Sequence, residues 1–283
     1  MKKLITLEKG NLRAQVYDGQ LVSFSKKGRE YMHGGGKPDD LKSERDKKGY
    51  NRSEFFMFPV CGPVYDGQIQ VGDNIFPQDQ HGISRLLPFR VLDLNVKDGY
   101  INLIQVYDGS KISNPKHRLD NDSPEYVRFL PFVSEKTIEL QENKLKITFS
   151  LYNKSNTLMF FRCGWHPVFE APAHAEDGLF EANQKEYYLD DVIRESEKKG
   201  GLPIRGADSI KFTNKRTGQS LELLSEGFRH VNLWSPGEEF GIVGIEPVTQ
   251  PAVLKRPQNY FTSGSFEQLE PQHQKTYSVI IKV

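Results

Sequence analysis

Lys136–Asn153 reads KTIELQENKLKITFSLYN, two alternating runs joined at Glu142-Asn143. Ile138 and Leu140 alternate with polar residues before the pair. Leu145, Ile147, Phe149 and Leu151 do the same after it. A period of two puts every second side chain on one face of an extended chain, whereas a helix would need apolar residues three and four apart. The stretch therefore predicts two half-buried strands folded back on each other.

The same texture recurs on both sides: NLRAQVY (11–17), QLVSFS (20–25), YINLIQVY (100–107), SLELL (220–224) and TYSVIIKV (276–283). Between such runs lie pairs suited to tight reversals, among them Asp18-Gly19, Asp66-Gly67, Gly72-Asp73 and Asp98-Gly99. Repeated reversal of short strands implies an all-β antiparallel sandwich or barrel, and no helix–strand alternation points to a nucleotide-binding α/β sheet. Residues 34–54 and 108–125 are polar and Gly- or Pro-bearing and read as surface loops. With no linker and no repeat, residues 1–283 are expected to form a single domain.

The composition suits a protein that folds around its own core: 283 residues, 37% of them hydrophobic and 11% aromatic. Basic and acidic residues number 38 and 37, with no long run of either sign, so neither nucleic acid nor an anionic membrane is an expected partner. The opening MKKLITLEKGN falls short of a signal-peptide core, and no later run is long enough to span a bilayer. The two cysteines, Cys61 and Cys163, lack a second pair for a metal or disulfide framework. A reduced, cytoplasmic protein acting on a small molecule is expected, as a monomer or weak homodimer.

Of seven histidines, His117, His174 and His273 read as loop residues, and His33 and His230 have uninformative surroundings. His81, in DQHGISR, and His166, in CGWHPVF, each follow an apolar strand, with Gly82 and Pro167 expected to end the pairing and leave each imidazole at a sheet rim. For each, a ring satisfied by a backbone carbonyl is the structural alternative. Glu246 follows the apolar run Phe240–Ile245 and precedes Pro247, so its carboxylate either faces solvent at an edge or is buried with partners. Two imidazoles and a carboxylate at strand ends are the parts of an acid–base site. Phe55, Phe56 and Phe58 read as core.

The ordered series GREYMHGG (28–35), FPVCG (58–62), DGQIQVGDNIFPQDQHGISR (66–85), NKLKITFSLYNKSNTLMFFRCGWHPVF (143–169) and GIVGIEP (241–247) resembles the aldose 1-epimerase, or mutarotase, family, in particular its LacX-related bacterial branch. The resemblance runs over nearly the whole chain. It implies a galactose mutarotase-like fold, a large antiparallel β-sandwich with a sugar cleft. It also implies that His81 and His166 hold the sugar ring, with His166 as general acid and Glu246 as general base. No cofactor or metal is implied.

Three positions depart from the family pattern. Pro63 stands where active members usually carry a sugar-contacting arginine, Val168 where an aromatic often follows the His-Pro pair, and Val248 where tryptophan often follows Glu-Pro. Arg85 or Arg52 is expected to fill the space left at Pro63, and Asp208 resembles a family aspartate that accepts sugar hydroxyls. The alternatives to an aldose epimerase are an epimerase of a sugar phosphate, for which Arg85, Lys255 and Arg256 are the candidate cations, and a carbohydrate-binding protein without turnover.

Overall fold

The computed structural model describes residues 4–33, 53–118, 122–251 and 266–283. Arg52, Lys255 and Arg256 lie outside these residues. The hairpin predicted at 136–153 forms as strands Phe132–Gln141 and Lys144–Asn153, paired in register from Phe132↔Asn153 to Gln141↔Lys144. It lies inside a nine-stranded antiparallel sheet whose edges are Lys185–Tyr188 and Arg90–Asn95. Asp18-Gly19 makes the predicted reversal, both residues at positive φ (50° and 83°), between Leu12–Tyr17 and Gln20–Lys26.

A five-stranded sheet faces the long sheet. Its order across the layer is Leu202–Arg205, His230–Trp234, Ile242–Val248, Gly164–Glu170 and Glu54–Met57. The two layers meet in an apolar core. Phe56 of the five-stranded sheet stacks on Phe149 of the hairpin with ring centroids 4.7 Å apart. A buried ion pair also crosses the gap: Lys136 Nζ donates to Glu54 Oε1, while Leu21 N–H and Trp165 Nε1–H donate to the same carboxylate at 2.5 and 2.8 Å. Three donors on one buried carboxylate replace the water it loses.

The molecule is an all-β sandwich of antiparallel sheets. The one α-helix among the described residues, Leu189–Lys199, was not anticipated. Its apolar residues, Leu189, Val192 and Ile193, are confined to the first half, so the helical pattern is short in the sequence. Its local signals are nonetheless clear: Asp190 and Asp191 at the start, Lys198 and Lys199 at the end, and Gly200 at φ 74° as the stop. Among the described residues no helix is long and apolar enough to cross a membrane.

Pro167 does not end its strand as expected, and Pro247 does not end its own either. Gly164–Glu170 and Ile242–Val248 run through them, and Pro167 pairs with Glu54 while Pro247 pairs with Val231. Proline removes one donor from a ladder but accepts the extended backbone. The local interruption falls between the two strands, whose pairing is kept at Gly164↔Val248 and Val168↔Gly244 on either side.

Candidate active site

Those flanking pairs place His166 across from Glu246. The same register logic extends the row sideways: His166 pairs with Phe55 on one side, and Glu246 with Asn232 on the other. Side chains directly opposite in adjacent strands share a face and come into contact. Phe55, His166, Glu246 and Asn232 thus form one line across four strands, on the face turned away from the core.

The contacts along the line are close. The Phe55 ring stacks on His166 with centroids 4.7 Å apart and planes 28° from parallel. His166 Nε2 is 3.2 Å from Glu246 Oε1. Asn232 Nδ2 donates to the other carboxylate oxygen, Oε2, at 3.1 Å. Glu246 is 4% exposed, so its carboxylate is held by these neighbours rather than by solvent. Nδ1 of His166 is buried with no hydrogen-bond partner among the described residues, which leaves Nε2 as the nitrogen directed at the carboxylate.

His81 arrives from a different direction. It is not at the end of a strand but in an irregular segment at φ 65°, tied down by His81 N–H to Gly62 O at 3.0 Å and by Phe58 N–H to His81 O at 3.2 Å. Gly82 is required there, because a Cβ would lie 2.3 Å from the Phe58 carbonyl oxygen. The His81 ring meets His166 edge-on at 5.2 Å and Phe55 at 5.3 Å. Gly62 N–H donates to His81 Nδ1 at 3.2 Å, so the proton of the neutral ring is on Nε2. Burial pushes the His81 pKa well below 6.5, and the charges of His166, Arg85 and Lys116 add to the effect. His81 is held neutral, and its Nε2 lies 3.1 Å from the Gln80 side-chain amide nitrogen.

These side chains floor a cleft of about 450 Å³, a size typical of small-molecule sites. Pro63, Val168 and Val248 line it, as do Trp234, Phe240 and Lys199. Trp234 stands edge-on to His166 at 6.0 Å.

Two expected substrate contacts are not at the cleft. The Arg85 guanidinium donates to Asp79 Oδ2 at 2.8 Å, with both side chains buried. A buried guanidinium needs a carboxylate, and the one six residues earlier draws it inward. Asp208 is exposed in the turn after Leu202–Arg205, where its carbonyl accepts Ser225 N–H at 2.7 Å. Cys163 sits in the core beside Tyr277, its thiol pKa pushed up by burial. Phe55 and Asn232 were missed. Phe55 read as core because its neighbours Phe56 and Phe58 are core.

Comparison with solved structures puts this arrangement in context. A galactose mutarotase-like protein from Lactobacillus casei superposes with a TM-score of 0.79 at 17% identity, covering 99% of each chain. This is a galactose mutarotase-like fold. A galactose mutarotase related enzyme from Lactobacillus acidophilus matches with a TM-score of 0.72 at 17% identity over 99% of this chain and 97% of its own. An aldose epimerase homologue from C. elegans matches at 0.67 and 11% over 99% and 98%. No protein-family model and no curated protein matches the sequence. In this mutarotase-like sandwich, the row of Phe55, His166, Glu246 and Asn232 lies on the outer face of the shorter of the two facing sheets, and His81 overhangs it.

Proposed function

We propose that the protein is an aldose 1-epimerase, related to the LacX branch by the motifs quoted above, that interconverts the α and β anomers of a free sugar. The observation that carries this reading is the 3.2 Å contact between His166 Nε2 and Glu246 Oε1 on the floor of the cleft. The C1 hydroxyl and the ring oxygen of an aldopyranose are attached to the same carbon. An acid and a base acting on them must therefore be close neighbours, as these two are.

In the ring-opening direction Glu246 takes the proton of the C1 hydroxyl, the C1–O bond of the ring breaks, and protonated His166 delivers its Nε2 proton to the departing ring oxygen. Rotation about C1–C2 presents the other face of the aldehyde. Closure reverses both transfers, with His166 now taking the proton from the attacking hydroxyl and Glu246 returning one to the new C1 oxygen. The carboxylate is the counter-charge that a protonated imidazole needs. Neutral His81 donates from Nε2 to the bound sugar, and the Phe55, Trp234 and Phe240 rings offer apolar surface to its C–H faces.

A neutral sugar fits better than a phosphorylated one. Lys199 is the one cation among the described residues that lines the cleft, and it is ion-paired with Glu195 at 2.9 Å. Polarimetry of freshly dissolved α-anomers across a panel of aldoses tests the proposal. Accelerated decay of rotation for at least one sugar is expected. Rates equal to the uncatalysed ones across the panel, with sugar binding retained, would favour the binding-protein reading instead.

A further inference from the structure

Arg90–Asn95, RVLDLN, is the outermost strand of the nine-stranded sheet, and every one of its residues is exposed. Among the described residues it pairs on one side only, with Tyr100–Tyr107. Its composition is nevertheless that of an interior strand: Val91, Leu92 and Leu94 are 37%, 53% and 41% exposed, and Val96 just beyond is 44% exposed. A free strand edge with uncovered aliphatic side chains is a template for another strand.

The register says which side each residue occupies. Val91 lies opposite Leu103 and Leu94 opposite Ile101, both fully buried, so Val91 and Leu94 belong to the core face but overhang it. Arg90 lies opposite Ile104 and Asp93 opposite Asn102, on the outer face. A bulge between Val91 and Asp93 leaves Leu92 as the extra residue, with no partner on Tyr100–Tyr107 and 53% exposed. The bulge is what brings Arg90 and Asp93, three apart, onto one face.

We propose that this edge is a homodimer interface, in which the strands of two copies pair antiparallel about a two-fold axis between Val91 and Leu92 and join the two sheets into one. In that register Arg90 of each copy faces Asp93 of the other on the outer face. Val91 of each faces Leu92 of the other, so the exposed aliphatic side chains of the two edges cover one another. Charge and apolar character both become self-complementary, as a two-fold contact requires. Cross-strand pairs of opposite charge stabilise a sheet and like charges oppose it. Neither Arg90 nor Asp93 has an ion-pair partner among the described residues, so both charges are available. One strand pair is a small contact, which makes the dimer a reversible one that forms at micromolar or higher concentration.

Sedimentation velocity of the full chain over a concentration series tests this, with three variants. The wild type is expected to pass from monomer to dimer. Leu92→Lys, at an exposed position and therefore compatible with folding, should weaken association by about tenfold or more. Arg90→Glu should do the same by placing like charges opposite each other. The doubly swapped Arg90→Glu/Asp93→Arg protein should recover the wild-type association. A wild type that stays monomeric at hundreds of micromolar overturns the proposal, and so does a dimer that neither single variant weakens. A monomer in which the 90–95 amides that point away from Tyr100–Tyr107 resist hydrogen exchange also overturns it, because a segment of the same chain would then cover the edge.

Discussion

His166 Nε2 rests 3.2 Å from Glu246 Oε1 because the strands carrying them are paired at Gly164↔Val248 and Val168↔Gly244, two residues to either side. The separation is set by a sheet ladder rather than by a loop, so substitutions that keep the strands leave the geometry in place. Glu246→Gln keeps the shape and the Asn232 neighbour but cannot take a proton. It is expected to lower kcat by about 10²-fold or more while far-ultraviolet circular dichroism stays unchanged. His166→Asn should also fall on kcat, since its proton is transferred only in the transition state. Near wild-type turnover in either variant would remove that residue from the mechanism.

Asn232 touches the base without touching the acid. Its Nδ2 holds Glu246 Oε2, which fixes the direction of Oε1. A hydrogen bond to a charged group is worth about 1.5–3 kcal/mol, so Asn232→Leu should reduce kcat by roughly ten- to a hundredfold. Gly201 offers an independent approach: at φ 145°, a Cβ there would lie 2.7 Å from Asn232 Nδ2. Gly201→Ala should therefore reproduce part of the loss from outside the cleft. Unchanged kcat in both variants would show that the carboxylate does not depend on this bond.

The strands were legible because period two survives in the sequence wherever one face is buried, as in 144–153, where burial alternates residue by residue. His166 and Glu246 were legible as polar residues inside apolar runs. Their neighbours in the row were not. Phe55 and Asn232 join the site through register between strands more than a hundred residues apart in the first case and fourteen in the second, and nothing local in either segment carries that register. Arg85 read as a ligand contact for the converse reason, since the partner that takes it into the core, Asp79, looks like any loop aspartate.

His81 makes stability depend on pH in a definite direction. In the folded protein burial holds it neutral, with a pKa well below 6.5, while in the unfolded chain it takes a proton near that value. The unfolded state thus binds more protons as pH falls below about 6.5, and the folded state loses stability until the pH drops below the folded pKa. Above about 6.5 the term is flat. Asn accepts the left-handed backbone of this position, and its Oδ1 can replace Nδ1 as acceptor of the Gly62 N–H. In thermal melts between neutral pH and pH 5, His81→Asn should lose less stability than the wild type. Parallel curves would mean that His81 is protonated in the fold.

The buried pair under the site should resist editing. Lys136→Met leaves the Glu54 carboxylate, 1% exposed, without its cation, a change expected to cost about 3–5 kcal/mol in urea unfolding. Replacing both partners often restores stability when a pair stands alone. Here it should not, because Glu54→Leu with Lys136→Met would orphan the Leu21 N–H and the Trp165 Nε1–H as well. A double variant as stable as the wild type would show that those two donors find other acceptors.

Pro63 lines the cleft at the position where the family resemblance places a sugar-contacting arginine, and Arg85 does not fill the gap because it is committed to Asp79. Proline brings no charge and no donor to that wall. If the cleft holds a sugar in the orientation that the His166–Glu246 pair requires, Pro63→Arg should add a charged hydrogen bond to a ring hydroxyl. Such a bond is worth about 1.5–3 kcal/mol, or roughly ten- to a hundredfold in affinity. The adjacent Gly62 keeps its N–H to His81, so the rest of the site need not move. Titration calorimetry with glucose and galactose, in a Glu246→Gln background that binds without turnover, reads the effect directly. Tighter binding of at least one hexose in the Pro63→Arg protein is the expected result. Equal affinity with and without the arginine would mean that the sugar does not approach Pro63.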